Sequence, residues 1–364
     1  MKTIVLGGYG NFGSRICRAL ANTPGINLVV AGRDLAKATL LADECGAAAA
    51  VIDINDPNLA DTLQGMSAAL VIHTAGPFQA QGYAVALAVA AAGAHYIDLA
   101  DGRRFVCDFS AALDAPFRRQ NRIAISGAST VPALSSAVVD YLTAGWRSIA
   151  DIDFSIAPAQ TAPRGVATMA AVLSYCGAPI QVWQDGLWVT RFGWAEPRRV
   201  EYARLRPRLA SLCDIPDLEL FPAYYPGVQS VLFRAALEIG LSQRALAGLA
   251  ALRRAGVIRR PERLAAFLNW SADGLDLFGS ALGGMVVRVR GTDADGAPVV
   301  RAWHIAADDD HGPEIPCMAA ILLARRIAAG ELHAVGARSS IGQLTLADFE
   351  PEFAKWSMQT DLGA

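Results

Sequence analysis

A chain of 364 residues, 53% of them hydrophobic and 18% charged, can bury a large core and reads as two domains. Its net charge of −2 and pI near 6.2 argue against nucleic acid or an anionic membrane as the main partner. Six cysteines without a CxxC pair and five histidines without ligand spacing point to reduced thiols and no metal site. The expectation is a cytoplasmic protein: no secretory signal is read before the first strand pattern. Its longest apolar stretches, such as 84–94, fall short of the roughly 20 residues that span a bilayer.

Up to residue 127, short apolar runs alternate with helical spacing. Strands are expected at 3–6, 27–31, 49–52, 68–73, 95–98 and 122–126, and helices at 11–21, 34–45, 58–63, 82–92 and 106–120. Continuous apolar strands between helices imply a parallel sheet covered on both faces, the N-terminal doubly wound half of an α/β protein. Beyond residue 140 the pattern changes. Alternation over 151–157 predicts a strand, as do 186–192 and 198–202, while 207–226 reads as irregular. Helices are expected at 230–240 and 243–255, followed by an arginine-rich helix end and loop, "RRAGVIRRPERL". Two strands, 284–290 and 299–305, flank the turn "GTDADGAP" and form a hairpin; an apolar helix over 315–329 follows. Its apolar face is too long to leave exposed, so 313–349 is expected to return to the first domain, 1–135, leaving 136–312 as the second.

Chemistry enters first at Gly8-Tyr9-Gly10-Asn11-Phe12-Gly13, a G-x-G-x-x-G between an apolar strand and a helix. Gly8 would allow the turn, Gly10 the close approach of a pyrophosphate, and Gly13 the packing of helix on strand. The helix N-terminus, with Asn11 and Phe12, would then offer its N–H groups to the anion. The second strand ends in Ala31-Gly32-Arg33, where NAD-binding folds place an acidic residue for the ribose. A glycine there leaves room, and Arg33 can pair with a 2′-phosphate, which favours NADP; Asp34 within reach of the ribose keeps NAD open. Asp53 after the third strand either bonds the adenine or caps its own segment. Ala75-Gly76-Pro77, ending the fourth strand, would pass beside the nicotinamide. The fifth strand carries Asp98 and Asp101 to the same edge. His73 reads as a core histidine.

Four stretches, "VLGGYGNFGSR", "VIHTAGPFQAQGYAV", "AAGAHYIDLADG" and "GASTVPALSSAVVDYL", together resemble the saccharopine dehydrogenase-like (saccharopine reductase-type) oxidoreductases. "GPEIPCMAAILLARRIAAGEL" is similar to the family's returning helix, while 150–300 matches loosely. The resemblance implies an N-terminal Rossmann domain, a second α+β domain on a mixed sheet and a pyridine-nucleotide cofactor. The function expected is hydride transfer between NADP(H) and a small carbonyl, imine or activated alkene. The alternative is an NADPH-binding redox sensor or scaffold that has lost catalysis. Lysine occurs only at positions 2, 37 and 355, so an acid/base lysine is not expected. Asp101 is the preferred proton donor, with Asp98 holding the loop. The second domain would face the substrate and offer a surface for a homodimer.

Overall fold

The computed structural model describes residues 1–363, the side chain of Ala167 excepted. It opens with β1 (Lys2–Leu6), α1 (Asn11–Leu20), β2 (Asn27–Gly32), α2 (Leu35–Cys45), β3 (Ala48–Val51) and α3 (Leu59–Gly65). Then come β4 (Leu70–His73), α4 (Ala84–Ala91), β5 (His95–Asp98), α5 (Arg103–Cys107), α6 (Phe109–Arg119) and β6 (Ile123–Ser126). Next are α7 (Ser135–Leu142), β7 (Ser148–Ala157), α8 (Val166–Ser174), β8 (Pro179–Gln184), β9 (Leu187–Phe192), β10 (Arg198–Val200) and β11 (Arg208–Leu212). They lead to α9 (Asp217–Tyr224), β12 (Ser230–Ala236), α10 (Gly240–Arg254), α11 (Ala265–Asp273), β13 (Gly283–Thr292) and β14 (Pro298–Ala307). The chain closes with α12 (Ile315–Ala328), β15 (Gly336–Ser339), α13 (Leu346–Lys355) and β16 (Gln359–Gly363). Two compact units result: Met1–Leu134 with Glu314–Leu344, and Ser135–Pro313 with Thr345–Ala364.

The first unit is a Rossmann sheet of seven parallel strands in the order β3-β2-β1-β4-β5-β6-β15. Ile4, Val5, Val71, Ile72, Ile97 and Ile125 are wholly buried because helices cover both faces. The strand order reverses between β1 and β4, and that switch point is where a doubly wound sheet opens a crevice at its carboxyl edge. The seventh strand, β15, is absent from the sequence reading. "GARS" carries one apolar side chain and earns its place by pairing with β6 at the edge.

The second unit is built on a mixed sheet, in the order β10-β11-β12-β7-β13-β14-β16, with β8 and β9 attached through β12. Only β12 and β7 run parallel within that order; the β13–β14 hairpin is antiparallel, as its turn sequence implies. Three expectations are corrected here. Residues 230–236 form the strand β12, not a helix: the segment is gripped by β11 and β7, and Val231 and Phe233 are buried. "RAALE" favours helix locally, but a short apolar run buried in a sheet has no period that separates the two states. The region 207–226 is not irregular; it holds β11 and α9, with Pro216 opening the helix and Pro222 inside it. The helix expected over 106–120 also divides, at Asp108, into α5 and α6.

One buried carboxyl in the second unit makes its stability depend on pH. Asp217, fully buried at the start of α9, accepts a hydrogen bond from the Ser135 hydroxyl at 2.5 Å. Burial pushes its pKa from 3.8 up to about 7, against that hydrogen bond. The folded state therefore holds a proton that the unfolded chain releases, and stability falls as pH rises from about 4 to about 7. Asp217→Asn keeps an acceptor for Ser135 and should remove roughly 2–4 kcal/mol of that decline. Thermal melts across the window check this; parallel profiles for the two proteins would contradict it.

Candidate cofactor site

The site begins with a turn. Gly7 adopts φ +77°, a left-handed conformation that side chains disfavour, and it sends the chain from β1 into α1. Thus the turn residue is Gly7, just before the motif, rather than Gly8. Gly8 serves packing: a Cβ there would stand 2.9 Å from both Val30 Cγ1 and the Val5 carbonyl oxygen. Gly13 serves packing too, since its Cβ would strike the Gly7 carbonyl and lie 2.8 Å from Thr74 Oγ1. Gly10 differs. Its Cβ would meet a single atom, the Gly7 oxygen at 3.1 Å, and otherwise open space. Gly10 is also the N-cap of α1 and, having no side chain, makes no cap hydrogen bond there. The first turn of α1 thus starts from an N-cap with no side chain, at the one glycine of the motif whose surroundings are open. Asn11 is exposed, with its side-chain oxygen taken by Arg15 Nη1 at 2.6 Å; Phe12 is half-buried.

Thr74 ties this turn to the neighbouring strand. Its hydroxyl donates to the carbonyls of Leu6 at 2.9 Å and Gly7 at 3.2 Å, and its N–H donates to Leu6 at 2.9 Å. The loop after β4 follows, with Ala75 half-buried and Gly76 and Pro77 exposed. Gln81 clasps it, donating from Nε2 to the carbonyls of Ala75 at 2.7 Å and Pro77 at 3.1 Å. Its Oε1 lies 3.1 Å from His73 Nε2 and must accept, so His73 carries its proton on Nε2. His73 is buried, and burial lowers its pKa to about 4, so it is neutral at physiological pH.

The two aspartates at the end of β5 differ sharply. Asp98 is wholly buried, and its Oδ1 accepts from Gly127 N at 2.8 Å, Ala100 N at 2.9 Å and the Ser126 hydroxyl at 2.9 Å. Burial raises its pKa to about 6 in spite of these donors. Asp98 binds the ends of β5 and β6 together. Asp101 is exposed and accepts from Gln79 Nε2 at 3.0 Å, which joins the loops after β4 and β5. Atoms crowding its carboxyl raise its pKa from the ordinary value, and the Gln79 amide opposes this.

At the end of β2, Arg33 is exposed and makes no hydrogen bond or ion pair with another described residue. Asp34 is engaged: its Oδ1 accepts from Lys37 N at 3.2 Å and caps α2. The room left by Gly32 goes to a side chain of the protein itself. A Cβ there would strike the Tyr9 ring, and the Tyr9 hydroxyl accepts from Asp34 N at 2.9 Å. Asp53 is exposed and its Oδ1 accepts from both Asn55 N at 3.0 Å and Asn55 Nδ2 at 3.2 Å, so it caps its own turn. Sequence reasoning passed over Gly7, Tyr9, Thr74 and Gln81. The doubled glycine of "LGGYG" was the available signal for the first; the others work through contacts that spacing does not carry. Among the described residues no group of three His, Cys, Asp or Glu is arranged to hold a metal, and no helix is long and apolar enough to cross a membrane.

Because Gly10 and Gly13 meet such different surroundings, their alanine variants should separate binding from folding. Gly13→Ala forces α1 off the Gly7 carbonyl and should cost about 1–3 kcal/mol of stability. Gly10→Ala should keep the melting temperature within a few degrees yet weaken NADPH binding about tenfold or more. Melting curves and nucleotide fluorescence titrations of both variants check this. Equal destabilisation by the two would refute the division of roles.

Residues 3–131 match the NADP binding domain of saccharopine dehydrogenase. No curated protein matches the sequence. Among solved structures, the chain is similar to apo saccharopine dehydrogenase (L-Glu forming) from Saccharomyces cerevisiae, at 13% identity over the whole of both chains with a TM-score of 0.72. It is also similar to a homospermidine synthase from Legionella pneumophila solved with NAD, at 9% identity, covering 100% of this chain and 91% of that one, with a TM-score of 0.62. These likenesses establish the fold, and the domain match establishes the nucleotide. Over residues 3–131 the chain thus carries a domain similar to the NADP binding domain of saccharopine dehydrogenase, and it shares the fold of that enzyme along its whole length.

Proposed function

We propose that this protein is an NADP-dependent oxidoreductase that reduces or oxidises a small carbonyl, imine or activated alkene. The observation that carries the reading is the cradle: an α1 N-terminus without a side-chain cap, beside the open Cα of Gly10, with Arg33 unengaged at the end of the neighbouring strand. The residues fit the cofactor. Gly10 and the first turn of α1 would hold the pyrophosphate, Arg33 the 2′-phosphate, and the Ala75-Gly76-Pro77 loop the nicotinamide half. When bound, the nicotinamide supplies or accepts the hydride.

The chain's own part is to hold that loop and to supply a proton. Gln81 fixes the loop carbonyls, and neutral His73 fixes Gln81. Asp101 is exposed beside the same loop and carries a raised carboxyl pKa, so its Oδ atoms suit proton transfer to the substrate. Asp98, enclosed by its three donors, orients the end of β5 and reaches no solvent. The second unit would receive the substrate and contribute a face to a homodimer, which sedimentation at micromolar concentration tests.

Two measurements test the reading. NADPH should bind more tightly than NADH by about 1–3 kcal/mol, and Arg33→Ala should erase the difference; equal affinities in the unaltered protein would remove Arg33 from the site. Asp101→Asn should lower turnover by roughly 10²–10⁴ with NADPH affinity unchanged. Turnover near that of the unaltered protein would exclude Asp101. Binding of NADPH without oxidation by any member of a carbonyl, imine and enone panel would favour the sensor reading instead.

A further inference from the structure

The mixed sheet of the second unit has one face covered by helices, where Phe154 of β7 packs on Phe221 of α9 with ring centroids 5.8 Å apart. The residues alternating with Phe154, Asp153 and Ser155, lie on the other face. There the register sets Ser155 beside Arg234 of β12 and Val286 of β13, and Asp153 beside Arg288. The small side chains of Ala157, Ala210 and Ala236 form a trough on this face, and the segment following β10 lies in it through Tyr202 and Leu205. The Tyr202 hydroxyl pins it, 2.8 Å from Ser155 Oγ. Beside this segment lies a cavity of about 420 Å³, lined by Arg198 and Arg199 of β10, by Glu201 just after it, and by Asp153, Arg234 and Arg288 of the other strands.

Four guanidinium groups therefore face two carboxylates. Arg199 is paired with Glu201, Nε to Oε1 at 3.1 Å. Arg234, only 5% exposed, gives Nη1 to both oxygens of Asp153 at 2.7 and 2.8 Å, but its buried Nε has no partner among the described residues. Arg288 donates Nη2 to the Glu201 carbonyl at 2.6 Å, a neutral acceptor, and its side chain makes no ion pair with another described residue. The Arg198 side chain makes no hydrogen bond or ion pair with another described residue. A buried guanidinium N–H without an acceptor is costly, and two further arginines without an ion pair among the described residues line the same space.

We propose that this cavity is a binding site for a small dianion, a phosphate or a dicarboxylate, held by Arg198 and Arg288 with Arg234 Nε completing the set. The planar donor forks of arginine suit oxyanions of either kind, and the volume suits a small molecule. The site lies wholly within the second unit and does not depend on the reading of the nucleotide cradle.

Calorimetric titration with inorganic phosphate and, separately, with succinate tests the proposal and distinguishes the two ligand sources. Saturable binding is expected for at least one of them. Arg198→Ala and Arg288→Ala should each weaken it about tenfold, and the pair together should abolish it. Arg198 is an exposed edge residue, so its variant should fold even if loss of Arg288 disturbs the wall. No saturable binding of either anion at tens of millimolar overturns the proposal. Binding that Arg198→Ala leaves unchanged overturns it as well, and places the anion elsewhere, such as the glycine cradle.

Discussion

The first unit depends on how β1 and β4, neighbours in space but separated by three crossovers in sequence, end together. Thr74 supplies the link, its hydroxyl shared between the carbonyls of Leu6 and Gly7. Those carbonyls belong to a turn in which Gly7 is left-handed, and the Gly7 oxygen is the atom against which α1 packs at Gly13. One side chain from a distant strand thus fixes the angle at which the helix leaves the sheet. The position of the α1 N-terminus, and of any anion held there, follows from that angle.

The same principle repeats along the carboxyl edge. Gln79 and Asp101 join the loops after β4 and β5, and Asp98 joins the ends of β5 and β6 through Ser126 and Gly127. Each link satisfies polar groups that the strand ladders leave over, which is what a sheet edge inside a covered fold requires. The cost falls on the carboxyl of Asp98, which burial holds near a pKa of 6 despite three donors. Asp101, on an exposed loop, keeps access to solvent. Two acids three residues apart thereby acquire different surroundings, one enclosed by donors and one open to solvent.

In the second unit the governing constraint is side-chain size. Alanines at 157, 210 and 236 hollow one face of the sheet so that the chain after β10 can lie across it. That crossing makes a partly open cavity at an arginine-rich face. Arginines scattered at 198, 234 and 288 in the sequence then stand around one cavity.

The sequence by itself determined the parallel sheet, its six principal strands, the β13–β14 hairpin and the glycine cradle. Each of these is written in local terms: apolar runs, turn residues and a motif a few residues long. It also marked Arg33 and the two aspartates as candidates, since residues that end a parallel strand reach the ligand edge by topology alone. Only the tertiary structure decided that 230–236 is a strand, that "GARS" adds a seventh strand, and that Gly32 makes room for Tyr9. It alone brought Thr74 and Gln81 to the cradle and gathered the arginines of the second unit. These outcomes rest on partners tens to more than two hundred residues away, such as β15 on β6, and on which side chain fills a space first. Local propensity and spacing carry no record of a distant partner, so such contacts become legible only once the chain has closed on itself.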